Sequence, residues 1–300
     1  MKNEIPTGGV LLVNKPKGIT SHDVVAKVRR LYGTRSVGHT GTLDPMATGL
    51  LIVLVGKAVK ASDYVTAQDK VYDAEMKLGI VTDTADITGK ILSRNDDIPQ
   101  RDEVVSAAKS FVGKYMQTPP MYSAIKVDGK KLYELAREGK TVELEPRELY
   151  ISSIDIYGDD DTYKMRIACS KGTYIRTLCE DIGKKLGCGA TMSALCRYSS
   201  GGFNLDGAVT PEELEALSSE ERTAKLIPAE ELFPELEKIT LTDFYARLCL
   251  CGCEIYQKKI GTSFTCGERV RVYTNDGFAG VGEVKQYPDG TAIKLFMRVV

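Results

Sequence analysis

Tryptophan is absent from the sequence, and histidine occurs only at His22 and His39 among 300 residues. Because histidine is the commonest side chain in transition-metal sites, the chain offers little material for a cluster of His and carboxylate ligands. A Walker-type phosphate loop and the G-x-G-x-x-G dinucleotide fingerprint are missing as well. These absences argue against metal-dependent, phosphate-transferring and nicotinamide-dependent enzymes, so we expect no cofactor and no metal.

Long apolar runs are also lacking. No stretch approaches the roughly 20 residues that a transmembrane helix requires, and residues 1–6 have no apolar core of the kind found in signal peptides. We therefore expect a cytoplasmic protein without membrane association. Its eight cysteines are then expected as thiols rather than as a disulfide framework.

Cys249, Cys251 and Cys253 form the cluster that most suggests a metal. Their C-x-C-x-C spacing differs from the C-x₂₋₄-C pairs of common zinc sites, and no histidine lies nearby. In a helix, Cys249 and Cys253 would share a face. We interpret the three as small buried apolar residues, with structural zinc as the minor alternative.

Charge is nearly balanced overall, with a net charge of -1, but it is unevenly distributed along the chain. Residues 1–60 carry nine Lys and Arg against three Asp and Glu, whereas residues 205–240 carry three against ten. A chain polarised in this way can present a basic face to phosphates. Ordinary solvated surface charge explains the same pattern equally well.

Hydrophobic periodicity predicts alternating strands and helices. Strands are expected at 9–13, 50–55, 71–78, 150–157 and 162–170, and helices at 102–112, at 174–186 and from Thr20 or Ser21 to about Gly33. Beyond about residue 240 the pattern changes to short strands separated by Gly and Asp, at 269–273, 279–284 and 293–299. The change predicts a domain boundary within 238–242.

Asp44 is the strongest candidate for a catalytic residue. It precedes Pro45 in a glycine-rich loop that runs from Gly38 to Gly49. On local grounds an Asp-Pro pair in such a loop is more often a turn former, and His39 is more often a hydrogen-bonded loop residue. Spacing alone therefore leaves the role of Asp44 undecided.

The sequence Gly38-His39-Thr40-Gly41-Thr42-Leu43-Asp44-Pro45-Met46-Ala47-Thr48-Gly49 resembles the signature of the bacterial tRNA pseudouridine synthase B (TruB) family. Other segments are similar in the same order, namely residues 14–21, 69–72, 82–89, 119–126 and 172–177. Thr191, Tyr198 and Ile52 depart from the family pattern. The resemblance covers most of residues 8–205.

The resemblance implies an α+β fold. A pseudouridine synthase catalytic domain around a mixed, largely antiparallel sheet would occupy residues 1–239, with an RNA-clamping insertion at about 124–146. A small β-rich, PUA-like RNA-binding domain would follow at 240–300. The insertion is also compatible with a plain exposed amphipathic helix.

The implied activity is isomerisation of uridine 55 in the T-loop of tRNA to pseudouridine, by base flipping and without a cofactor. The partner would be the T stem-loop of tRNA, bound by a monomer without an obligatory protein partner, and a role as a tRNA folding chaperone is also implied. Two rivals remain, a non-catalytic tRNA-binding module and the related archaeal and eukaryotic type guided by small RNAs and partner proteins.

The resemblance also assigns roles to individual residues. Asp44 would be the nucleophile, toward either the base or the sugar C1′, and Arg176 would pair with its carboxylate. Tyr72 would stack on the flipped uracil or assist proton transfer, although its phase in the strand also suits a core aromatic. The remaining expected RNA or base contacts are His39, Tyr174, Leu195, Lys15, Lys126 and Lys130.

Overall fold

The computed structural model describes residues 8–123, 125–127, 129–159 and 162–299. In its first half the elements are β1 (Gly8–Lys15), α1 (Ser21–Leu31), β2 (Val37–His39), β3 (Thr48–Gly56), α2 (Ser62–Thr66), β4 (Lys70–Leu78), β5 (Ile80–Thr82), β6 (Ile91–Arg94), α3 (Arg101–Lys109), β7 (Gly113–Gln117), β8 (Lys126–Val127), β9 (Lys130–Lys131), α4 (Leu132–Arg137) and β10 (Arg147–Asp159).

The second half continues with β11 (Thr162–Cys169), α5 (Ile175–Leu186), β12 (Ala190–Ser200), β13 (Phe203–Asn204), α6 (Pro211–Ala216), α7 (Ser219–Ala224), β14 (Ile227–Pro228), β15 (Glu237–Thr240), α8 (Asp243–Leu250), β16 (Ile255–Tyr256), α9 (Gln257–Ile260), β17 (Arg269–Thr274), β18 (Gly277–Tyr287) and β19 (Gly290–Arg298). Short 3-10 turns lie at Lys57–Ala61 and Ala229–Leu232.

The main sheet has the strand order β14-β1-β3-β12-β4-β11-β10-β7, with β2 paired to β3 and β13 paired to β12. Its ladders are antiparallel except where β12 runs parallel to β3, among the strands that the structure describes. Helices α1, α3 and α5 contribute buried apolar side chains to the core cluster of this sheet. The expected α+β fold around a mixed, largely antiparallel sheet is confirmed.

Local sequence explains where the key elements begin. Thr20 is the N-cap of α1, and it exchanges hydrogen bonds with Asp23 in a capping box. Strand β4 alternates regularly, with Tyr72 and Ala74 buried and Asp73 on the opposite face. Strand β3 is buried on both faces, which is why its sequence is continuously apolar rather than alternating.

A second sheet, in the order β15-β17-β18-β19-β16, is formed by the C-terminal part of the chain. The boundary predicted between residues 239 and 240 falls inside β15, which pairs in parallel with β17. Val281 and Met297 of this sheet share one buried cluster with Leu50, Ile52 and Leu54 of β3. The two sheets are thus joined by a common apolar core on the back of β3.

The predicted insertion forms a small hairpin, β8 and β9, followed by the six-residue helix α4. Ala124 and Asp128, which belong to the predicted insertion, lie outside the described residues. Leu132 at the start of α4 is fully buried and anchors the insertion, while Lys126 and Lys130 are exposed. Across the described ranges no helix is long and apolar enough to span a membrane.

The close approach of β3 to β12 at the pair Gly49–Arg197 can be tested by substitution of Gly49. A Cβ there would lie 2.5 Å from Arg197 O, whereas at Gly202, which also has a positive φ, it would meet no atom within 4 Å. We expect Gly202→Ala to lower the free energy of unfolding by about 1–2 kcal/mol through backbone strain. Gly49→Ala should lose about 1–3 kcal/mol more through the clash. Urea denaturation measures both losses of stability. Equal losses for the two variants would contradict the close contact of Gly49 with Arg197.

Candidate active site

Asp44 lies in the loop between β2 and β3, with its side chain 37% exposed. The loop is fastened to the start of α1, because Ser21 Oγ accepts a hydrogen bond from Leu43 N at 2.9 Å and lies 3.2 Å from Leu43 O. A turn follows, in which Ala47 N donates to Asp44 O at 3.0 Å. The carboxylate is therefore held on a short, well-anchored turn and remains accessible.

Arg176, in the first turn of α5, approaches this carboxylate from inside the protein. Its Nε lies 2.9 Å from Asp44 Oδ2, and its side chain is only 5% exposed. The other guanidinium nitrogens donate to Thr84 O at 3.0 Å and to Tyr122 O at 2.8 Å. One buried cation thus connects three segments and fixes the orientation of Asp44.

Asp86 is a second carboxylate at the same guanidinium, 4.0 Å from Arg176 Nε and 10% exposed. Its Oδ1 accepts hydrogen bonds from Thr88 N at 3.0 Å and from Thr84 Oγ1 at 3.1 Å. Asp86 lies in the segment 82–89 that resembles the family, but it was not predicted as a site residue. Its side chain is engaged by its own turn, so it supports Arg176 rather than competing for a substrate.

Thr191, which departs from the family pattern, supports that acidic turn. It is fully buried, and its hydroxyl lies 3.1 Å from the hydroxyl of Thr82. Thr82 in turn donates to Asp86 O at 2.8 Å. A threonine at this position therefore takes part in holding the turn in place.

Tyr72 is buried at the edge of the apolar core, in the same cluster as Leu43, Met46 and Leu195. Burial raises the pKa of its hydroxyl, and a hydrogen bond with the adjacent Arg197 opposes that shift. The negative charge of Asp44 also raises the pKa of Tyr72, which keeps the hydroxyl neutral. Its position fits both expectations for this residue, a core aromatic and a ring that borders the site.

Arg197 is a residue of the site that sequence reasoning missed. It is 1% exposed, and its guanidinium donates to Leu50 O at 2.8 Å and to Gly41 O at 3.0 Å. It therefore ties β12 to both ends of the glycine-rich loop and contacts Tyr72 as well. The signal available in the sequence was a cationic residue directly after the apolar stretch 194–196.

Tyr198, the next residue, points away from that interior. The guanidinium carbon of Arg166 lies over the Tyr198 ring, 4.8 Å from the ring centroid. Arg166 makes a two-pronged ion pair with Asp73, both distances being 2.7 Å. The departure from the family pattern at Tyr198 is thus accommodated on the outer face of the sheet.

Lys15, expected as an RNA contact, is fully buried instead. Its ammonium group donates to Ile19 O at 2.8 Å, to Pro16 O at 3.0 Å and to Pro45 O at 3.5 Å. Burial lowers the pKa of Lys15 to about 8, while the nearby charge of Asp44 opposes the shift. The Lys15 side chain is too deeply buried to contact RNA directly. Its hydrogen bond to Pro45 O instead helps to hold the loop around Asp44.

His39 lies at the end of β2, where its ring makes an edge-on contact with His22 at a centroid distance of 5.5 Å. Burial lowers the pKa of His39 to about 4, with His22 and Arg197 adding to the shift. Its Nδ1 is buried and has no hydrogen-bond partner among the described residues. The ring is therefore neutral at physiological pH and carries an unused polar atom.

A cleft of about 360 Å³ lies over β4, β11 and β12, next to Met46 and the start of β3. In the described chain, β3 and β12 are paired only at Cys196–Thr48 and Arg197–Gly49. The two strands separate beyond these pairs. The cleft is bordered by Lys17, Met46, Thr48, Asp73, Ala74, Glu75, Tyr157, Lys164, Met165, Ala194, Leu195 and Cys196. Its volume lies in the range of small-ligand pockets, and Leu195 and Met46 give it an apolar wall.

The other candidate residues lie around this centre. Tyr174 immediately precedes α5, and burial raises the pKa of its hydroxyl. Lys126 and Lys130 stand on the exposed hairpin, where Lys130 Nζ is 3.8 Å from Glu138 Oε1. The structure therefore brings Asp44, Arg176, Tyr72 and Leu195 together and leaves the two lysines on the surface of the insertion.

The cysteine cluster only partly follows the expectation. Cys249 is buried, but Cys251 and Cys253 are exposed, because helix α8 ends at Leu250 before the three can share a face. In the described portion of the chain, no group of three or more His, Cys, Asp or Glu side chains could hold a metal ion. The prediction that all three cysteines are buried is thus wrong for two of them.

Comparison with protein families gives two matches. Residues 29–175 match the TruB family pseudouridylate synthase (N terminal domain), and residues 176–239 match the tRNA pseudouridylate synthase B C-terminal domain. Together they include the segments that carry Asp44, Tyr72, Arg176 and Leu195.

Known relatives extend this similarity to nearly the whole chain. A tRNA pseudouridine synthase B from Clostridium novyi (strain NT) is 45% identical over 276 residues, 91% of this chain and 94% of the relative. One from Alkaliphilus oremlandii (strain OhILAs) is 44% identical over 283 residues, 92% of this chain and 93% of the relative.

Among solved structures, a chain of a Cbf5-Nop10-Gar1 complex is similar, with a TM-score of 0.73 and 25% identity. The match covers 97% of this chain and 85% of that one. A chain of the archaeal box H/ACA sRNP Nop10-Cbf5 complex, 24% identical with a TM-score of 0.69, shares the fold.

The burial of Lys15 predicts a specific pH dependence of stability. Since its pKa is lowered from 10.5 to about 8, the unfolded chain binds more protons than the folded one between these values. The free energy of unfolding of the wild type should therefore rise by about 1–2 kcal/mol from pH 8 to pH 10.5, relative to Lys15→Met, after allowance for solvent screening. Urea denaturation across this range tests it.

Lys17→Met is the matched control, because Lys17 is exposed two residues further along the same segment. Its stability should follow the wild type at every pH. A Lys15→Met curve parallel to the wild type would show that the folded state does not disfavour the charge on Lys15.

Proposed function

Because the chain belongs to the TruB family of pseudouridylate synthases, and is therefore an RNA pseudouridine synthase, we propose that it converts uridine 55 in the T-loop of tRNA to pseudouridine. The names of its relatives support tRNA as the substrate class. The observation that carries the proposal is the accessible Asp44 carboxylate, whose Oδ2 lies 2.9 Å from Nε of the buried Arg176. Met46, two residues after Asp44, lines the cleft together with Leu195.

The reaction is an isomerisation and is balanced without a co-reactant. The bond from uracil N1 to the sugar C1′ breaks, a bond from C5 to C1′ forms, and the C5 proton is released while N1 gains one. Asp44 would supply the nucleophile or stabilise charge at the sugar. Arg176 would hold the carboxylate in one orientation, so that its attack on either the base or C1′ does not require reorganisation.

The target uridine must leave its stack before it can reach Asp44, which takes a few kcal/mol. The ring of Tyr72 would replace part of the lost stacking, which is worth about 1–3 kcal/mol per base. Leu195 and Met46 would pack against the base in the cleft. His39, whose ring is neutral, would contact the rearranged RNA loop, as would Tyr174.

Recognition of the T stem-loop is assigned to the exposed insertion and to the C-terminal PUA-like sheet. Lys126, Lys130 and Lys131 stand on the hairpin β8–β9 and could reach phosphates. The same surface would serve a tRNA folding chaperone, since binding does not need Asp44. We propose a monomer that acts on tRNA in the cytoplasm without an obligatory protein partner.

The guided type of pseudouridine synthase is the alternative, since the similar solved chains come from complexes with Nop10 or Gar1. Identity favours the stand-alone enzyme, because the relatives named tRNA pseudouridine synthase B are up to 45% identical and the complexed chains about 25%. Activity of the isolated chain on tRNA would separate the two.

The central test uses an unmodified tRNA transcript labelled with tritium at uridine C5. Wild-type protein should release one tritium per T-loop, from position 55, and Asp44→Asn should release none while binding the tRNA with similar affinity. The Asn side chain keeps the shape but lacks the nucleophilic carboxylate. Absence of release by the wild type, or equal release by Asp44→Asn, would refute the proposal.

Arg176→Lys tests the role of the ion pair. A lysine ammonium group cannot maintain the planar contacts with Asp44, Thr84 O and Tyr122 O together. We expect the single-turnover rate to fall by about 10²–10³-fold, as on losing one preorganised electrostatic contact, with little change in tRNA affinity. Arg30→Lys, at the exposed ion pair with Glu215, should leave the rate within about twofold. Similar rates for both variants would exclude a catalytic role for Arg176.

A further inference from the structure

Gln117, at the end of β7, connects the edge of the main sheet to the start of α5. Its side-chain Oε1 accepts a hydrogen bond from Tyr174 N at 2.8 Å, and its Nε2 donates to Tyr174 O at 3.0 Å. The side chain is 1% exposed. It pairs with the backbone of Tyr174 as a neighbouring strand would.

This contact holds the N-cap residue of α5 through its own backbone groups. Tyr174 is that N-cap residue, and its side chain makes no capping hydrogen bond. Tyr174 O also accepts from Leu178 N at 3.1 Å, so Gln117 is hydrogen-bonded to the same carbonyl that begins the helix.

The orientation of the Gln117 amide is fixed on its second side. Nε2 also lies 3.3 Å from the hydroxyl of Tyr115, and that hydroxyl donates to Asp181 on α5. Burial, together with this bond to Asp181, raises the pKa of Tyr115, so the hydroxyl stays protonated. The chain of contacts from Asp181 to Tyr174 therefore holds both the first and the second turn of α5 against β7.

Arg176 follows Tyr174 by two residues, so the position of the helix start determines where the Arg176 side chain begins. The segment that leaves Gln117 also supplies Tyr122 O, which accepts from Arg176 Nη2 at 2.8 Å. Residues 117–122 thus contact α5 at two points. The Gln117 side chain binds the backbone of Tyr174, and Tyr122 O binds the guanidinium of Arg176. A shift of this stretch would move Arg176 relative to Asp44.

We propose that Gln117 is a positioning residue for catalysis, which sets the start of α5 so that Arg176 meets Asp44. The inference rests on the proposed function and deepens it. Gln117 does not touch the substrate; it acts through Tyr174 and Arg176. Misplacement of a catalytic contact by about 1 Å can reduce a rate by about 10²-fold, so such a residue has a kinetic signature distinct from stability.

The chain offers a closely matched control at Gln257. This glutamine is 3% exposed, and its Oε1 accepts from Phe264 N at 2.7 Å while its Nε2 donates to Phe264 O at 2.9 Å. The same two-way contact with a backbone therefore exists between α9 and the loop that follows it, where it supports neither α5 nor Arg176. Comparing the two sites separates loss of a buried amide from loss of positioning.

The experiment measures the single-turnover rate of tritium release at saturating enzyme, the dissociation constant for tRNA and the melting temperature. Gln117→Glu keeps the acceptor for Tyr174 N but places an oxygen against Tyr174 O, and Gln257→Glu does the same at Phe264. We expect a rate about 10–10²-fold below wild type for Gln117→Glu, with tRNA affinity within twofold. Gln257→Glu should lower the melting temperature comparably and leave the rate within twofold.

Gln117→Met, of similar length but without polar atoms, is a second variant, and should show the same loss of rate. A folded Gln117 variant with a wild-type rate, or one whose loss is matched by Gln257→Glu or by weaker tRNA binding, would overturn the proposal. Failure of both Gln117 variants to fold while Gln257→Glu folds would also overturn it. If the wild type itself releases no tritium, the proposed function fails instead.

Discussion

The guanidinium of Arg176 is the interaction on which the site depends. A buried cation loses several kcal/mol of hydration and is tolerated only when its hydrogen-bond donors find acceptors. Arg176 satisfies them with Asp44, Thr84 O and Tyr122 O, which come from three separate segments. The requirement to pair one charge therefore holds the Asp44 loop, the acidic turn of Asp86 and the segment around Tyr122 at one point.

Two further buried cations, Lys15 and Arg197, hold the Asp44 loop in its conformation. Lys15 binds the carbonyl of Pro45, and Arg197 binds the carbonyls of Gly41 and Leu50, so both ends and the turn of the loop are tied to the sheet. These cations are hydrogen-bonded to carbonyls, and the charge of Asp44 also lies near Lys15. The shape of the Asp44 loop therefore depends on bonds from its backbone carbonyls to buried side chains.

Local sequence reasoning succeeded where a single element decides the outcome. The capping box of Thr20 and the alternation around Tyr72 follow from hydrogen bonding and side-chain period within one helix or strand. It failed where burial depends on what packs above a residue. Lys15 was expected at an RNA-binding surface but lies inside the protein, and Cys253 was expected to be buried but lies beyond the end of α8.

The glycine-rich loop that carries Asp44 is recognisable in the amino-acid sequence, and resemblance to a family points to Arg176 as its partner. The folded chain alone shows that Asp86 lies at the same guanidinium, that Arg197 ties the loop to β12 and that Gln117 holds the start of α5. The physical reason is that these contacts join segments far apart in the chain. Their meeting depends on strand order and on the crossing of β3 with β12, which no local propensity encodes.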